Sequence, residues 1–355
     1  REAVSEIDEA VAAGEPFFLN FAPYAVHTPI MANPALLDER YAGLDPQEAA
    51  YATMIESVDD ALGAIVAKLD ELGIADETAL FYTSDNGGLS AHARGRMPDD
   101  TGRHHHNAPL LSGKGSAYEG GIRVPWVVRW PGMEEELVGA ISNQVIVSHD
   151  LFPTFLNLAG VKMPEEHAPK VEGMDIPGLI DQADLRGAPV ARLVPWHQPH
   201  QWGANGPGIE PFTAVRHGAF KLILFHDGPR YELYDLARDP GEARDLFASR
   251  NHFGWRRALA LATTAWALGR EVQPSRSHGQ ASMTPPGPVD VADVQEAWYE
   301  LTLRGPLRDT TPRPNILWIT VDDLGWADLS GTASTLGHGS SLHKTPHTDR
   351  LAERG

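Results

Sequence analysis

The 355-residue sequence contains no cysteine, which excludes disulfides, thiolate metal sites and cysteine nucleophiles drawn from these residues and leaves the redox compartment open. Cationic residues are scarce: 29 Lys and Arg against 48 Asp and Glu give a formal net charge of −19. A surplus of that sign opposes wrapping of nucleic acid and attraction to an anionic membrane, so neither is an expected partner. Any anionic substrate must be held by local basic groups. No apolar run is long enough to span a bilayer, and Arg1-Glu2-Ala3-Val4 does not begin like a signal peptide. What is present is 42% hydrophobic residues, ample for a large α/β domain with a smaller companion.

The apolar run Pro16 to Ala22, closed by Pro23, reads as a buried strand. From Pro46 to Gly73, Met54, Val58, Leu62, Ile65, Leu69 and Leu72 recur at spacings of three and four, the signature of an amphipathic helix that Gly73 would stop. Thr78 to Thr83 is the next strand, so Ser84-Asp85-Asn86-Gly87-Gly88 falls at its carboxyl end. Strand, helix, strand implies a parallel sheet. Ile122 to Trp130 continues the pattern with a strand, and Asp150 to Leu158 with a helix carrying Pro153 in its first turn. After about Phe212 the texture shifts to short strands, Phe220 to Phe225 and Tyr231 to Tyr234, split by the turn residues Asp227-Gly228-Pro229, as in a small antiparallel subdomain. A Pro-, Ser- and Gly-rich stretch then reads as a linker. Beyond it, Asn315 to Val321 is the most convincing buried strand of the sequence, ending at Asp322-Asp323.

Asp322-Asp323 and Asp85-Asn86 thus each follow an apolar strand, and the carboxyl ends of parallel strands line one edge of a sheet, where ligands bind. Oxygen donors meeting there, without cysteine, suit a hard cation such as calcium or magnesium. Carboxylates at strand ends also serve as helix caps and turn formers, and residue type alone does not separate the two. The loop from Ser90 to Asn107 is rich in His and Arg, including His92, Arg103 and His106, and reads either as a substrate-recognition loop or as a solvated one.

Arg313-Pro314-Asn315-Ile316 through Val321-Asp322-Asp323-Leu324-Gly325, followed by Thr345-Pro346-His347-Thr348-Asp349-Arg350-Leu351-Ala352, resembles the amino-terminal signature of type I sulfatases of the alkaline-phosphatase-like superfamily, here at the carboxyl end. Ala22-Pro23-Tyr24 with His27-Thr28-Pro29, Thr83 to Gly87, Asn107-Ala108-Pro109-Leu110, Gly113-Lys114-Gly115-Ser116, Tyr118 to Pro125, Ser148 to Thr154, and Glu232 to Leu236 with Asp239 to Glu242 are similar to the later motifs of that family, in family order. Trp196-His197-Gln198-Pro199-His200-Gln201-Trp202 resembles a motif of carbohydrate-acting members. The resemblance implies an alkaline-phosphatase-like fold, mostly parallel sheet flanked by helices with a small antiparallel subdomain.

It also implies roles. Asp322, Asp323, Asp85 and Asn86 match the family's calcium ligands, Lys114 its sulfate-contacting lysine, and His27 the histidine near the bridging ester oxygen. His27 capping a loop and Lys114 as a solvated charge are the plainer alternatives. The implied substrate is a sulfated carbohydrate or other sulfate ester, with a phosphoryl or phosphonate ester hydrolase, or a glycan-binding fragment without catalysis, as alternatives. The family nucleophile, a formylglycine made from Cys or Ser in a Cys/Ser-x-Pro-x-Arg motif, has no match. The one partial lookalike, Val272-Gln273-Pro274-Ser275-Arg276, carries valine at the nucleophile position. The expectation is therefore a sulfatase scaffold inactive alone, with a complementary sulfatase segment as a candidate partner. Circular permutation or a tandem or truncated gene would account for the order, the latter preferred. The expected organisation is a main catalytic part over 1–205, a small antiparallel subdomain and tail over 206–272, a linker over 273–312 and a transposed strand and metal-binding segment over 313–355. Family membership suggests a periplasmic or secreted location, without an exporting segment to support it.

Overall fold

The structure, a computed structural model, describes residues 1–89, 106–168, 171–181, 190, 192–200, 206–228, 230–247, 314–330 and 343–354. The linker expected over 273–312, the Val272 lookalike, Trp202 and the 90–105 part of the His- and Arg-rich loop lie outside those residues.

Helix α1 (Glu2–Ala13) leads to strand β1 (Phe18–Phe21), and the long helix α2 (Pro46–Glu71) to β2 (Thr78–Ser84). Pro46 opens α2 at a position where a missing N–H costs nothing, and the Asp45 carboxylate caps it by accepting from the Gln47 amide at 2.9 Å. A short helix α3 (Glu119–Ile122) precedes β3 (Trp126–Arg129); α4 (Leu151–Leu158) and α5 (Ile176–Asp181) follow. Strands β4 (Leu193–Gln198), β5 (Phe212–His217), β6 (Phe220–Phe225) and β7 (Arg230–Asp235) come next, and the chain closes with β8 (Asn315–Val321) and α6 (Pro346–Arg354).

The last strand is central in space. The first sheet runs β1-β8-β2-β3: β8 is parallel to β1 from Phe18↔Ile316 to Phe21↔Ile319 and parallel to β2 from Thr78↔Asn315 to Ser84↔Val321, while β3 is antiparallel to β2. A strand flanked on both sides must be apolar on both faces. Leu317 and Ile319 face one core with Ile7, Ile55, Leu62 and Leu351, so α1, α2 and α6 cover that side. Ile316 faces the other with Phe81, Leu151, Leu158 and Ile176, where α4 and α5 lie.

The second sheet is antiparallel in the order β4-β5-β6-β7 and begins at Leu193, upstream of the change of texture seen in the sequence. Phe212, Ala214, Ile223, Phe225 and Tyr234 pack one of its faces on Ala117 and Tyr118. Fully buried Lys221 of β6 ties this sheet to α3 and to the turn after β7, with Nζ 3.0 Å from Glu119 Oε1 and 2.9 Å from Glu242 Oε1. Among the described residues, no helix is long and apolar enough to cross a membrane.

Candidate functional site

The register Ser84↔Val321 ends β2 and β8 at the same height, so the acidic residues that follow each strand emerge side by side. Ser84 Oγ ties the two ends together: it donates to the Val321 carbonyl at 2.8 Å and accepts from the Leu324 amide at 3.1 Å. Immediately beyond, the Asp323 amide donates to Asp85 Oδ1 at 3.2 Å, and Asn86 Nδ2 donates to Asp323 Oδ1 at 2.9 Å. Asp322, Asp323, Asp85 and Asn86, separated by more than two hundred positions, are thereby brought to one edge of the sheet.

Lys114 reaches the same point, with Nζ 2.5 Å from Asp323 Oδ1 and 3.9 Å from Asp322 Oδ1. Its backbone is fixed by a 3.1 Å bond from its amide to the Gly88 carbonyl. That peptide is clamped by Asn107, whose Oδ1 accepts from Gly88 N at 3.0 Å and whose Nδ2 donates to Gly88 O at 2.9 Å. The paired glycines after Asn86 permit this closeness: a Cβ on Gly87 would sit 1.8 Å from the Gly120 carbonyl oxygen, and one on Gly88 would sit 2.8 Å from Gly325 Cα.

His27 comes from the loop after β1. The Val26 amide donates to the Asp322 carbonyl at 2.9 Å, and His27 Nδ1 donates to Thr28 O at 2.7 Å. That bond turns Nε2 toward the carboxylates, 4.0 Å from Asp323 Oδ2.

Acidic side chains crowd this edge, with Lys114 set against them. Burial, then the neighbouring Asp85 and Asp323 carboxylates, push the Asp322 carboxyl above its ordinary range, against the pull of Lys114 and His27. Asp323 is 1% exposed and holds a left-handed backbone at φ 65°, uncommon for a residue with a side chain. Its Oδ2 is buried with no hydrogen-bond partner. His27, Asp322 and Asp323 place one ligand atom each within 4.8 Å of one another.

The family model described as Sulfatase matches residues 2–161, and that described as N-sulphoglucosamine sulphohydrolase, C-terminal, matches residues 113–262. The chain belongs to the sulfatase family. It is 31% identical over 288 residues to the N-acetylgalactosamine-6-sulfatase of Sus scrofa, covering 74% of this chain and 50% of that protein. It is 35% identical over 258 residues to the steryl-sulfatase of Rattus norvegicus, covering 65% and 41%. Among solved structures, this sulfatase is similar to the crystal structure of Ps i-CgsB, with a TM-score of 0.60, 26% identity, and coverage of 77% of this chain and 54% of that one. The chain spans about half the length of the curated relatives it matches.

The structure also shows participants that the sequence reading passed over. His106, read as part of a possible recognition loop, is buried with Asp328, His343 and Tyr51 beneath the acidic loop instead. The signal of His106, Asp328 and His343 is weak, because they stand in polar loops with no periodicity, while Tyr51 reads only as a helix residue of α2. Trp196 is partly buried against the apolar cluster on one face of the second sheet, and His197 Nδ1 lies 2.8 Å from Thr213 Oγ1.

Proposed function

We propose that this sulfatase is the scaffold of a sulfuric ester hydrolase for sulfated carbohydrates, with Asp322, Asp323, Asp85 and Asn86 holding a calcium ion and Lys114 and His27 attending the sulfate ester. The observation that carries this reading is Asp323 Oδ2, buried without a hydrogen bond at the meeting point of these side chains. A buried carboxylate oxygen without a partner is costly, and an all-oxygen donor set beside it fits a hard cation. When bound, calcium supplies positive charge to the sulfate oxygens. Lys114 adds an ammonium on the same side and orients the ester. His27, its Nδ1–H committed to Thr28 O, gives a proton from Nε2 to the leaving alcohol oxygen only as the imidazolium; in the neutral ring Nε2 is an acceptor.

The substrate class is supported by the likeness to N-acetylgalactosamine-6-sulfatases and to Ps i-CgsB, whose complex with k-i-k-neocarrahexaose aligns at 26% identity and a TM-score of 0.58. These 355 residues contain no Cys/Ser-x-Pro-x-Arg motif from which the family's formylglycine could be made. We therefore propose that they bind sulfate esters but do not turn them over alone, and that a complementary sulfatase segment supplies the nucleophile.

The test uses purified protein with calcium. A sulfated galactosamine oligosaccharide should bind, its desulfated form should not, and Lys114→Ala should weaken binding by about tenfold, the worth of one charge-assisted contact. Equal binding of both glycans would overturn the sulfate reading, and tighter binding of a steryl sulfate would move the substrate class. Turnover of a chromogenic aryl sulfate that disappears in Lys114→Ala would overturn the claim of incompleteness.

A further inference from the structure

Beneath the acidic loop lies a buried cluster that the proposed chemistry does not use. Asp328 is fully buried, and its two oxygens are shared among donors from distant parts of the chain. His106 Nδ1 is 2.6 Å from Oδ1, while Tyr51 Oη and the Gly325 amide donate to Oδ2 at 2.7 and 2.8 Å. On its other side, His106 Nε2 is 3.1 Å from Glu48 Oε2. Both ring nitrogens therefore face carboxyl oxygens, one from each side of the ring. His343 lies alongside, its Nδ1 3.0 Å from the Asp328 carbonyl oxygen.

The backbone repeats the connection. The Ala327 amide donates to the His106 carbonyl at 2.8 Å, and Gly325 approaches so closely that a Cβ there would lie 2.3 Å from that oxygen. Tyr51 Oη is also 3.4 Å from the Asp323 carbonyl oxygen. The turn from Asp322 to Asp328 is thus held from below at several points. Its residue Asp323 keeps a left-handed backbone, a conformation that persists only where the surroundings over-determine it.

We infer that His106 is a positioning residue: through Asp328 it fixes the turn that presents Asp322 and Asp323, and so sets the affinity of the site for a divalent cation. This rests on the cation reading above for its consequence, though not for its geometry. Glu48 anchors the far side of the ring, and its loss should matter less than the loss of the bond to Asp328.

Two variants separate positioning from general stability. Asparagine places an amide nitrogen near the Nδ1 position and keeps the bond to Asp328; glutamine places one near Nε2 and keeps the bond to Glu48. Calorimetric titration with calcium chloride should find His106→Asn within about threefold of the parent and His106→Gln weakened about ten- to a hundredfold, although both melt at similarly lowered temperatures. Affinities that are equal in the two variants, or that follow melting temperature, would overturn the inference. A second arm needs no metal: amide exchange over 321–328 in calcium-free buffer should quicken in His106→Gln and stay parent-like in His106→Asn, and equal rates would overturn it. Absence of calcium binding by the parent would sink the cation reading alone, leaving exchange to decide the positioning role. If His106→Gln does not fold, Tyr51→Phe removes a different donor from Asp328 and should shift both readouts the same way, no shift being contrary.

Discussion

Asp328 illustrates how a single buried carboxylate gathers donors from distant parts of the chain. Burial would raise its pKa, but the His106 charge and hydrogen bond, with His343 and the Tyr51 hydroxyl, outweigh this and hold it at about 2. A folded-state value below the unfolded one of about 3.9 means stability that is present above that pH and lost as pH falls through about 2, worth about 2 kcal/mol. Urea unfolding at pH 5 and at pH 2.5 should therefore give a smaller difference in stability for Asp328→Asn than for the parent. An unchanged difference would show that the carboxylate is not under this tension. At the residue scale, the sequence made Asp322, Asp323, Asp85 and Asn86 visible because they follow apolar strands. His106, Asp328 and His343 sit in polar loops, and only the folded chain reveals that those loops meet in the interior.

Helix α6 shows the same dependence on distant partners at the scale of an element. Its first-turn amides have no acceptor within the helix. Asp59, in the middle of α2, supplies one: it accepts from His347 N at 2.9 Å, from Thr348 N at 2.7 Å and from the Thr348 hydroxyl at 2.6 Å. Burial raises the Asp59 carboxyl against the pull of those bonds, which marks how deep the contact lies. Gly63, one turn on, makes the approach possible, since a Cβ there would lie 2.3 Å from His347 Nδ1. Asp59→Ala should cost about 1–3 kcal/mol in urea denaturation, the range for a lost cap and unsatisfied buried amides. A change below about 0.5 kcal/mol, the level of an inert surface substitution, would deny the helix its remote cap. Elements with a strong period or an unbroken apolar run were legible in sequence, α2 and β8 above all. Strand β4 was not, because Pro195, His197 and Gln198 break its pattern; it lies at the edge of its sheet, where proline is tolerated.

The whole molecule is defined by β8 taking the place between β1 and β2, which no local pattern states. Strand polarity explains it: parallel neighbours align their carboxyl ends, so only a strand inserted in that sense brings Asp322 and Asp323 to Asp85 and Asn86. The apolar pattern and the family resemblance pointed to the sheet, whose register carries its acidic ends to one edge, whereas the clamp below them joins His106, Asp328 and His343 from polar loops to Tyr51 and Glu48 of α2. The central claim, that one cation site is assembled from both ends of the sequence, is tested most directly by calorimetric titration of the protein with calcium beside Asp85→Ala and Asp323→Asn. We predict one calcium per chain in the parent, with affinity lowered at least about tenfold in each variant. Binding left unchanged by both substitutions, or no binding by the parent, would contradict it.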